Sequence, residues 1–437
     1  MYEDIWIIGL GVTGLSCAKF LFQFNLAFGV WDTRLNPPNK KEFLTLFPNV
    51  QLKLGALDAN ILKHAKQLVV SPGLNLNNVA IQTAIEHGVQ IISDIEFFSQ
   101  YNHKRIFAIT GSNGKTTVTN WVADMAQRAG MDLGVGGNIG KPVLDLYLEH
   151  DYSQFLFELS SFQLDLIHFL DLQAAVLLNI SEDHLDRYNS FDDYCRSKLS
   201  IFKHAKLNIY NRDDPNIVVN KKSNYYSFGM TPSTNKNDVY YKAPWIYVEN
   251  YPFFNCQYLS VLGVHNIYNA MAAIMLARSM SVHNQAITDS LQYFTGVAHR
   301  CQKIAVKKGV TFINDSKATN TAATLSAMQY FPADKLWMIV GGDSKGVDLS
   351  ELARDITKVK GVVYLGKDGE KIAYLHDNKY AVMSIEESVE LLSHVAVAGD
   401  IVLLSPACSS LDMFLNYEQR GDMFVNAVNR LVGDNID

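Results

Sequence analysis

Apolar and polar positions follow two alternating rhythms in the first part of this chain. Short apolar runs at Ile5–Ile8, Ala27–Trp31, Gln67–Val70 and Val89–Ile92 are separated by longer stretches with helical spacing. Such runs read as buried strands, and strands alternating with helices predict a parallel α/β domain over residues 1–97. A polar connector, "SQYNHKR" at 99–105, precedes a new strand, "IFAIT". The region it opens continues to residue 297 and holds a Tyr-rich, β-patterned stretch over 225–262, expected to add an antiparallel meander to the sheet. From residue 298 the alternation resumes through "VTFIND", "LWMIVGG", "GVVYLG", "YAVMS" and "DIVLLSP", which predicts a doubly wound domain over 298–437.

Two glycine loops lie at strand-to-helix junctions of this pattern. In "IWIIGLGVTGLSC", Gly9 suits the tight turn, Gly11 lets a phosphate approach, and Gly14 lets the helix close on the strand. The next strand ends at Asp32, where an acid meets a ribose, so spacing alone points to NAD or to a ligand-free tight turn. The second loop, "TGSNGKTT" over 110–117, lacks the first glycine of a standard P-loop, because that position is Ile109. Gly111 and Gly114 still free the backbone to curl around phosphates, with Ser112 and Asn113 between them. Lys115 can reach phosphate oxygens, and a hydroxyl of Thr116 or Thr117 can meet Mg²⁺. The predicted fold is therefore α/β with three domains: an N-terminal Rossmann-like domain, a central P-loop-type mononucleotide-binding domain over 98–297, and a C-terminal Rossmann-like doubly wound sheet.

Phosphate chemistry of this kind needs carboxylates at the ends of neighbouring strands. Glu158 in "FLFELSSFQL" and the cluster Glu182, Asp183, His184 and Asp186 in "NISEDHLDRY" are the candidates. Taken singly, Glu158 also reads as an edge-strand residue and Ser181–His184 as a helix start. In the third region three strands end in polar loops, 315–320, 342–345 and 405–410, whose lysines and hydroxyls suit a substrate carboxylate. Cys408 has no base motif beside it and reads as structural.

Composition narrows the class. With 38 basic against 44 acidic residues in 437 and no long basic cluster, nothing calls for nucleic acid. The five cysteines, Cys17, Cys195, Cys256, Cys301 and Cys408, are scattered and form no C-x-x-C pair, which favours a reducing compartment. No secretion signal or membrane-length apolar run is evident, so a cytoplasmic protein without membrane contacts is expected.

Assembled in order, "GLGVTGLSC", "DTR", "SPG", "TGSNGKTTVT", "GGNIG", "ELSSFQL", "NISEDHLDRY", "HNIYNAMAA", "HR", "INDSKATN", "GGDSKG" and "SPACSSLDMF…EQRG" resemble the Mur ligases of peptidoglycan synthesis from end to end. The resemblance implies ATP and Mg²⁺, with UDP-N-acetylmuramoyl-L-alanine and D-glutamate as the molecules joined, by a monomer. It implies that Val12, Thr13, Asp32, Thr33, Arg34 and Gly73 hold the UDP part, and that Asn138, Ser160, Gln163 and His184 guide the muramoyl arm. ATP would meet the phosphate loop from Gly111 to Thr117, together with Asn269, Arg300 and Asp315. Lys115, His184 and Lys198 would be catalytic, and Thr116, Glu158, His184 and a carbamylated Lys198 would serve the metal. By pattern alone, Lys198 in "DDYCRSKLSIF" reads as a surface helix lysine. D-Glutamate would meet Lys317, Thr319, Lys345, Ser410, Asn416 and Tyr417. Tyr417 replaces the Phe usual in the family, and "HRCQK" departs from "HRFE", leaving Cys301 and Gln302 without a role. The alternatives are another amino-acid-adding member of that family, an NAD-dependent dehydrogenase with a regulatory nucleotide domain, or a nucleotide-gated binding protein.

Overall fold

A computed structural model describes residues 3–74, 76–182, 187–219, 224–261, 263–294 and 296–431. The first sheet contains β1 (Ile5–Ile8), β2 (Phe28–Asp32), β3 (Gln51–Leu54), β4 (Gln67–Val70) and β5 (Gln90–Ile92). Its order is β3-β2-β1-β4-β5, and every neighbouring pair is parallel. β3, with its polar "QLKL" on the sheet edge, is the strand the apolar pattern did not reveal.

The central sheet adds β6 (Arg105–Thr110), β7 (Leu133–Gly137), β8 (Gln154–Glu158), β9 (Leu172–Leu177), β10 (Ala205–Asn211), β11 (Tyr225–Gly229), β12 (Val239–Lys242), β13 (Trp245–Val248) and β14 (Tyr251–Asn255), in the order β14-β13-β12-β11-β10-β9-β6-β8-β7. The Tyr-rich stretch is not a simple antiparallel meander. β11 runs parallel to β10 and β12 parallel to β11; only β12, β13 and β14 alternate in direction. Buried Asp238 fastens the connection between β11 and β12. Its carboxylate accepts the Ser227 amide (2.7 Å) and hydroxyl (2.8 Å) and the Ser233 hydroxyl (2.7 Å), fastening the β11–β12 crossover to the start of β12. Side-chain alternation has the same period in both strand directions, so the residue pattern carried no sign of it.

The third sheet contains β15 (Gln302–Lys307), β16 (Val310–Asn314), β17 (Leu336–Gly341), β18 (Gly361–Leu365), β19 (Lys379–Ala381) and β20 (Ile401–Ala407). Its order is β15-β16-β20-β17-β18-β19; β15 is an antiparallel edge on an otherwise parallel, doubly wound sheet.

The chain divides into two compact units, Met1–Leu259 with Val264–Gln292, and Ser260–Gly263 with Tyr293–Asp437. The first unit holds the first and central sheets over a continuous core. Phe20 meets Phe97 and Tyr147 edge-on at 5.7 and 5.4 Å, and Phe98 meets Phe155 and Phe157 at 5.0 and 5.2 Å. The helix Asp94–Tyr101 thus serves both sheets. No helix among the described residues is long and apolar enough to cross a membrane.

Candidate active site

The loop after β6 opens the helix Lys115–Arg128. Gly114 sits at its start with φ 81°, and a Cβ there would lie 2.7 Å from Asn269 Oδ1. The positive φ demands glycine, and the missing side chain leaves Asn269 room to stand against the loop. The first helical turn has no acidic residue and no side-chain cap, which leaves its amides for an anion. Asn179, just past β9, shapes the loop from outside. Its carbonyl accepts the Ser112 amide (2.9 Å), its Oδ1 accepts the Asn113 amide (2.8 Å), and its Nδ2 donates to Asn113 O (3.0 Å). Ser112 Oγ shares a 2.9 Å hydrogen bond with the Tyr194 hydroxyl.

Two lysines converge on one loop carbonyl. Lys115 Nζ donates to Gly111 O (2.8 Å) and Ser112 O (3.0 Å), and Lys198 Nζ donates to the same Gly111 O (2.9 Å). Lys198 is no surface lysine: it is 2 % exposed and lies 4.8 Å from the Tyr194 ring centroid. The helix Phe191–Leu199 carries it inward, contrary to its charged sequence context. Thr116 and Thr117, half-buried, occupy the first turn beside them.

Glu158 ends β8, which lies inside the sheet between β6 and β7 rather than at its edge. Its Oε1 accepts Asn138 Nδ2 (2.8 Å), while Oε2 is buried without a hydrogen-bond partner. A buried carboxylate oxygen lacking a donor is costly, and a hard cation with oxygen ligands would satisfy it. Gly137 lets the neighbouring strand run close to the Glu158 backbone, since a Cβ there would sit 2.3 Å from Glu158 O. Ser160 and Gln163 follow directly, locked in a reciprocal capping box on the short helix Ser161–Leu164. His184, with Asp183 and Asp186, lies outside the described residues. Among the described residues no group of three or more His, Cys, Asp or Glu could hold a metal, so a cation at Glu158 would need hydroxyl, phosphate or water oxygens as well.

In the first domain Gly9 has φ 105°, and a Cβ on Gly14 would meet Gly9 O at 1.8 Å. The Cβ positions of Gly11 and Gly73 face open space, room for a ligand to approach. Val12 and Thr13 begin the helix Val12–Gln23. Thr33 and Arg34 follow Asp32, whose oxygens accept the Leu10 amide (2.6 Å), the Arg34 amide (2.8 Å) and Arg34 Nε and Nη2 (2.9 and 2.7 Å). Burial pushes this carboxyl up, but Arg34 and the two amides outweigh it and hold the pKa below the usual carboxylate range. Asp32 therefore braces the glycine loop against Arg34.

In the second unit a cavity of about 300 Å³ is lined by Thr319, Asp343, Lys345, Ser410, Asn416 and Tyr417, among others, at the carboxyl ends of the strands. It brings together five of the six residues expected to meet D-glutamate. The sixth, Lys317, stands beside it with Nζ 3.9 Å over the Tyr417 ring. Burial, then nearby Arg300, lowers the Lys317 pKa against the pull of Glu418. Asp315 accepts Ser405 Oγ (2.8 Å) and the Cys301 amide (3.1 Å), yet burial pushes its carboxyl up to about 6. Burial, then Asp368, pushes the Cys408 thiol up to about 12, in keeping with a structural cysteine. In the first unit a cavity of about 340 Å³ beside Phe28 and Gln51 lies at the amino-terminal ends of β2 and β3, whereas Thr33 and Arg34 follow the carboxyl end of β2.

Family models supply the remaining observation. The Mur ligase MurD-like N-terminal domain matches residues 3–93, the Mur ligase middle domain 109–277, and the Mur ligase glutamate ligase domain 299–408. A UDP-N-acetylmuramoylalanine–D-glutamate ligase of Shewanella oneidensis is 40% identical over 434 residues, 98% of either chain. The chain belongs to the Mur ligase family. A protein of the same name from Haemophilus ducreyi is also 40% identical, over 98% of each chain. Among solved structures, a pseudomurein peptide ligase type C from Methanothermus fervidus matches at 18% identity with a TM-score of 0.59, covering 98% of this chain and 100% of the other; that likeness concerns the fold alone.

Seen as a Mur ligase, the chain has further site residues that motif reading passed over. Asn179 and Tyr194 shape the phosphate loop, and Asn266 accepts from Asn269 Nδ2 (3.0 Å) one helical turn away. Arg420 is buried and donates to Ser316 Oγ (3.0 Å), Ser316 O (2.9 Å) and Cys408 O (3.2 Å), joining two of the cavity's loops. Burial pulls its pKa down to about 10. Arg420 stands in the quoted "EQRG" stretch, but nothing in that stretch marked it as buried.

Proposed function

We infer that this protein is an ATP-dependent ligase that adds D-glutamate to UDP-N-acetylmuramoyl-L-alanine in peptidoglycan precursor synthesis. The reading is carried by 40% identity across nearly the whole chain to curated proteins named for that joining. The geometry is compatible with it in each unit.

In this reading the first glycine loop, Thr33, Arg34 and Gly73 hold the UDP part, and Asn138, Ser160 and Gln163 steer the alanine carboxylate toward the phosphate loop. Lys115 and the amides at the start of its helix bind the ATP phosphates, with Asn269 against Gly114. Arg300 and Asp315 serve the nucleoside. The γ-phosphate passes to the alanine carboxylate, which alone is a poor acyl donor, giving an acyl phosphate. The D-glutamate amine attacks that carbonyl, and the tetrahedral adduct expels phosphate as the amide forms. Lys115 contributes positive charge where phosphate oxygens gather, Lys198 meets the same Gly111 carbonyl, and the chain otherwise acts by positioning. Glu158 and Thr116 would hold Mg²⁺, with Lys198 if carbamylated; when bound, the ion supplies charge neutralisation. Lys317, Thr319, Lys345, Ser410, Asn416 and Tyr417 receive D-glutamate.

Phosphate release from ATP with UDP-N-acetylmuramoyl-L-alanine and a panel of amino acids tests this. Release is expected with D-glutamate. Equal release with L-glutamate, L-lysine or L-alanine overturns the assignment.

A further inference from the structure

Lys317 has an unusual partner for a half-buried ammonium. Among the described residues it forms no ion pair, and its Nζ stands 3.9 Å over the centre of the Tyr417 ring. Tyr417 is held once at its backbone and once at its ring. Ser316 Oγ, next to Lys317 in sequence, donates to Tyr417 O (2.8 Å), and the His299 ring meets Tyr417 edge-on at 6.0 Å and 81°. The Lys317 amide in turn donates to His299 O (3.0 Å). Backbone and side chain of the pair are thus tied through the same two neighbours.

A carboxylate at the ring's position would hold the ammonium but cancel its charge. An aromatic face attracts a cation through its quadrupole and leaves the full positive charge in place. We propose that Tyr417 is a positioning residue whose ring face carries the Lys317 ammonium, by a cation–π contact, ready for a carboxylate of the incoming amino acid. The proposal rests on the D-glutamate reading above and adds to it the means by which Lys317 is presented.

The test is the KM for D-glutamate in the phosphate-release assay. Tyr417→Phe keeps it within about twofold, whereas Tyr417→Leu raises it about five- to thirtyfold with the KM for ATP unmoved, the span of a partly desolvated cation–π contact. Incorporating mono-, di- and trifluorinated phenylalanine at 417 changes the ring charge but barely its shape, so the KM climbs stepwise with fluorination. In a Lys317→Ala background the same series is flat. A wild type active with D-glutamate and a flat fluorination series would overturn the proposal alone, as would a Tyr417→Leu effect that persists undiminished without the Lys317 ammonium. Wild-type protein releasing no phosphate with D-glutamate sinks the ligase reading and this proposal together.

Discussion

The loop around Gly9–Gly14 and the loop around Gly111–Gly114 both leave a buried strand and open a helix without acidic residues in its first turn. They treat charge in opposite ways. In the first, Arg34 is already paired with Asp32, so the loop is braced internally, and the proposed UDP site is left with backbone and the open space at Gly11 and Gly73. In the second, two lysine side chains crowd a single carbonyl, Gly111 O. A site that must only hold a phosphate group can rely on fixed dipoles, while one that must transfer it needs charged side chains placed in advance. Strand–glycine–helix geometry by itself separates these roles poorly; the side chains behind the loop do so.

The largest effect is expected from Lys115→Ala. Turnover should fall by about 1000-fold or more while binding of UDP-N-acetylmuramoyl-L-alanine, followed by calorimetry, stays near wild type. Loss of both would break the division of labour between the loops. Next, Gly14→Ala forces a methyl group to 1.8 Å from Gly9 O, and a destabilisation of about 3 kcal/mol in urea unfolding is expected. A stable variant would show that the first loop tolerates what its geometry forbids. Lys198→Ala should reduce turnover about 100-fold with little change in melting temperature, since its role is charge at the phosphate loop. A large thermal shift instead would make it a structural residue.

The smallest effect concerns Asp32→Asn, expected to cost about 1–2 kcal/mol at neutral pH through the weakened hold on Leu10 N and Arg34. The folded-state pKa of Asp32 is depressed, so its contribution is full above the unfolded value of about 4 and is lost as pH falls through the lower folded value. Wild type should therefore lose its advantage over Asp32→Asn below about pH 4. An advantage that grows on acidification would invert the bracing role given to Asp32.

Much of the fold was legible because its strands are short apolar runs with turn residues at their carboxyl ends, and the glycine loops sit where those ends predict. What stayed hidden has specific causes. β3 and β15 are edge strands with "QLKL" and "QKIAVK", polar enough to resemble loops. The parallel pairing of β12 with β11 comes with a crossover fastened by Asp238, and the strand alternation carries no sign of that direction. At the site, Thr319, Lys345 and Ser410 of the cavity fall on strand-end loops, while Asn416 and Tyr417 stand at the start of the helix that follows. Burial of Lys198 and Arg420 was illegible because a charged residue on a helix looks the same whether it faces water or a site. Tyr194 was likewise unmarked, its hydroxyl reaching Ser112 across 82 positions.

The aromatic seam shared by the first two sheets bears on how the nascent chain comes together. Phe97 and Phe98 sit on a helix that ends at Tyr101, but three of their ring neighbours, Tyr147, Phe155 and Phe157, are synthesised about fifty residues later. Until those residues leave the ribosome, the emerging first sheet presents an uncovered greasy side to the cytosol or to a chaperone. A fragment cut after the first sheet should therefore aggregate, and one extended past β8 should be soluble, although the earlier cut falls at the cleaner boundary in the motif pattern.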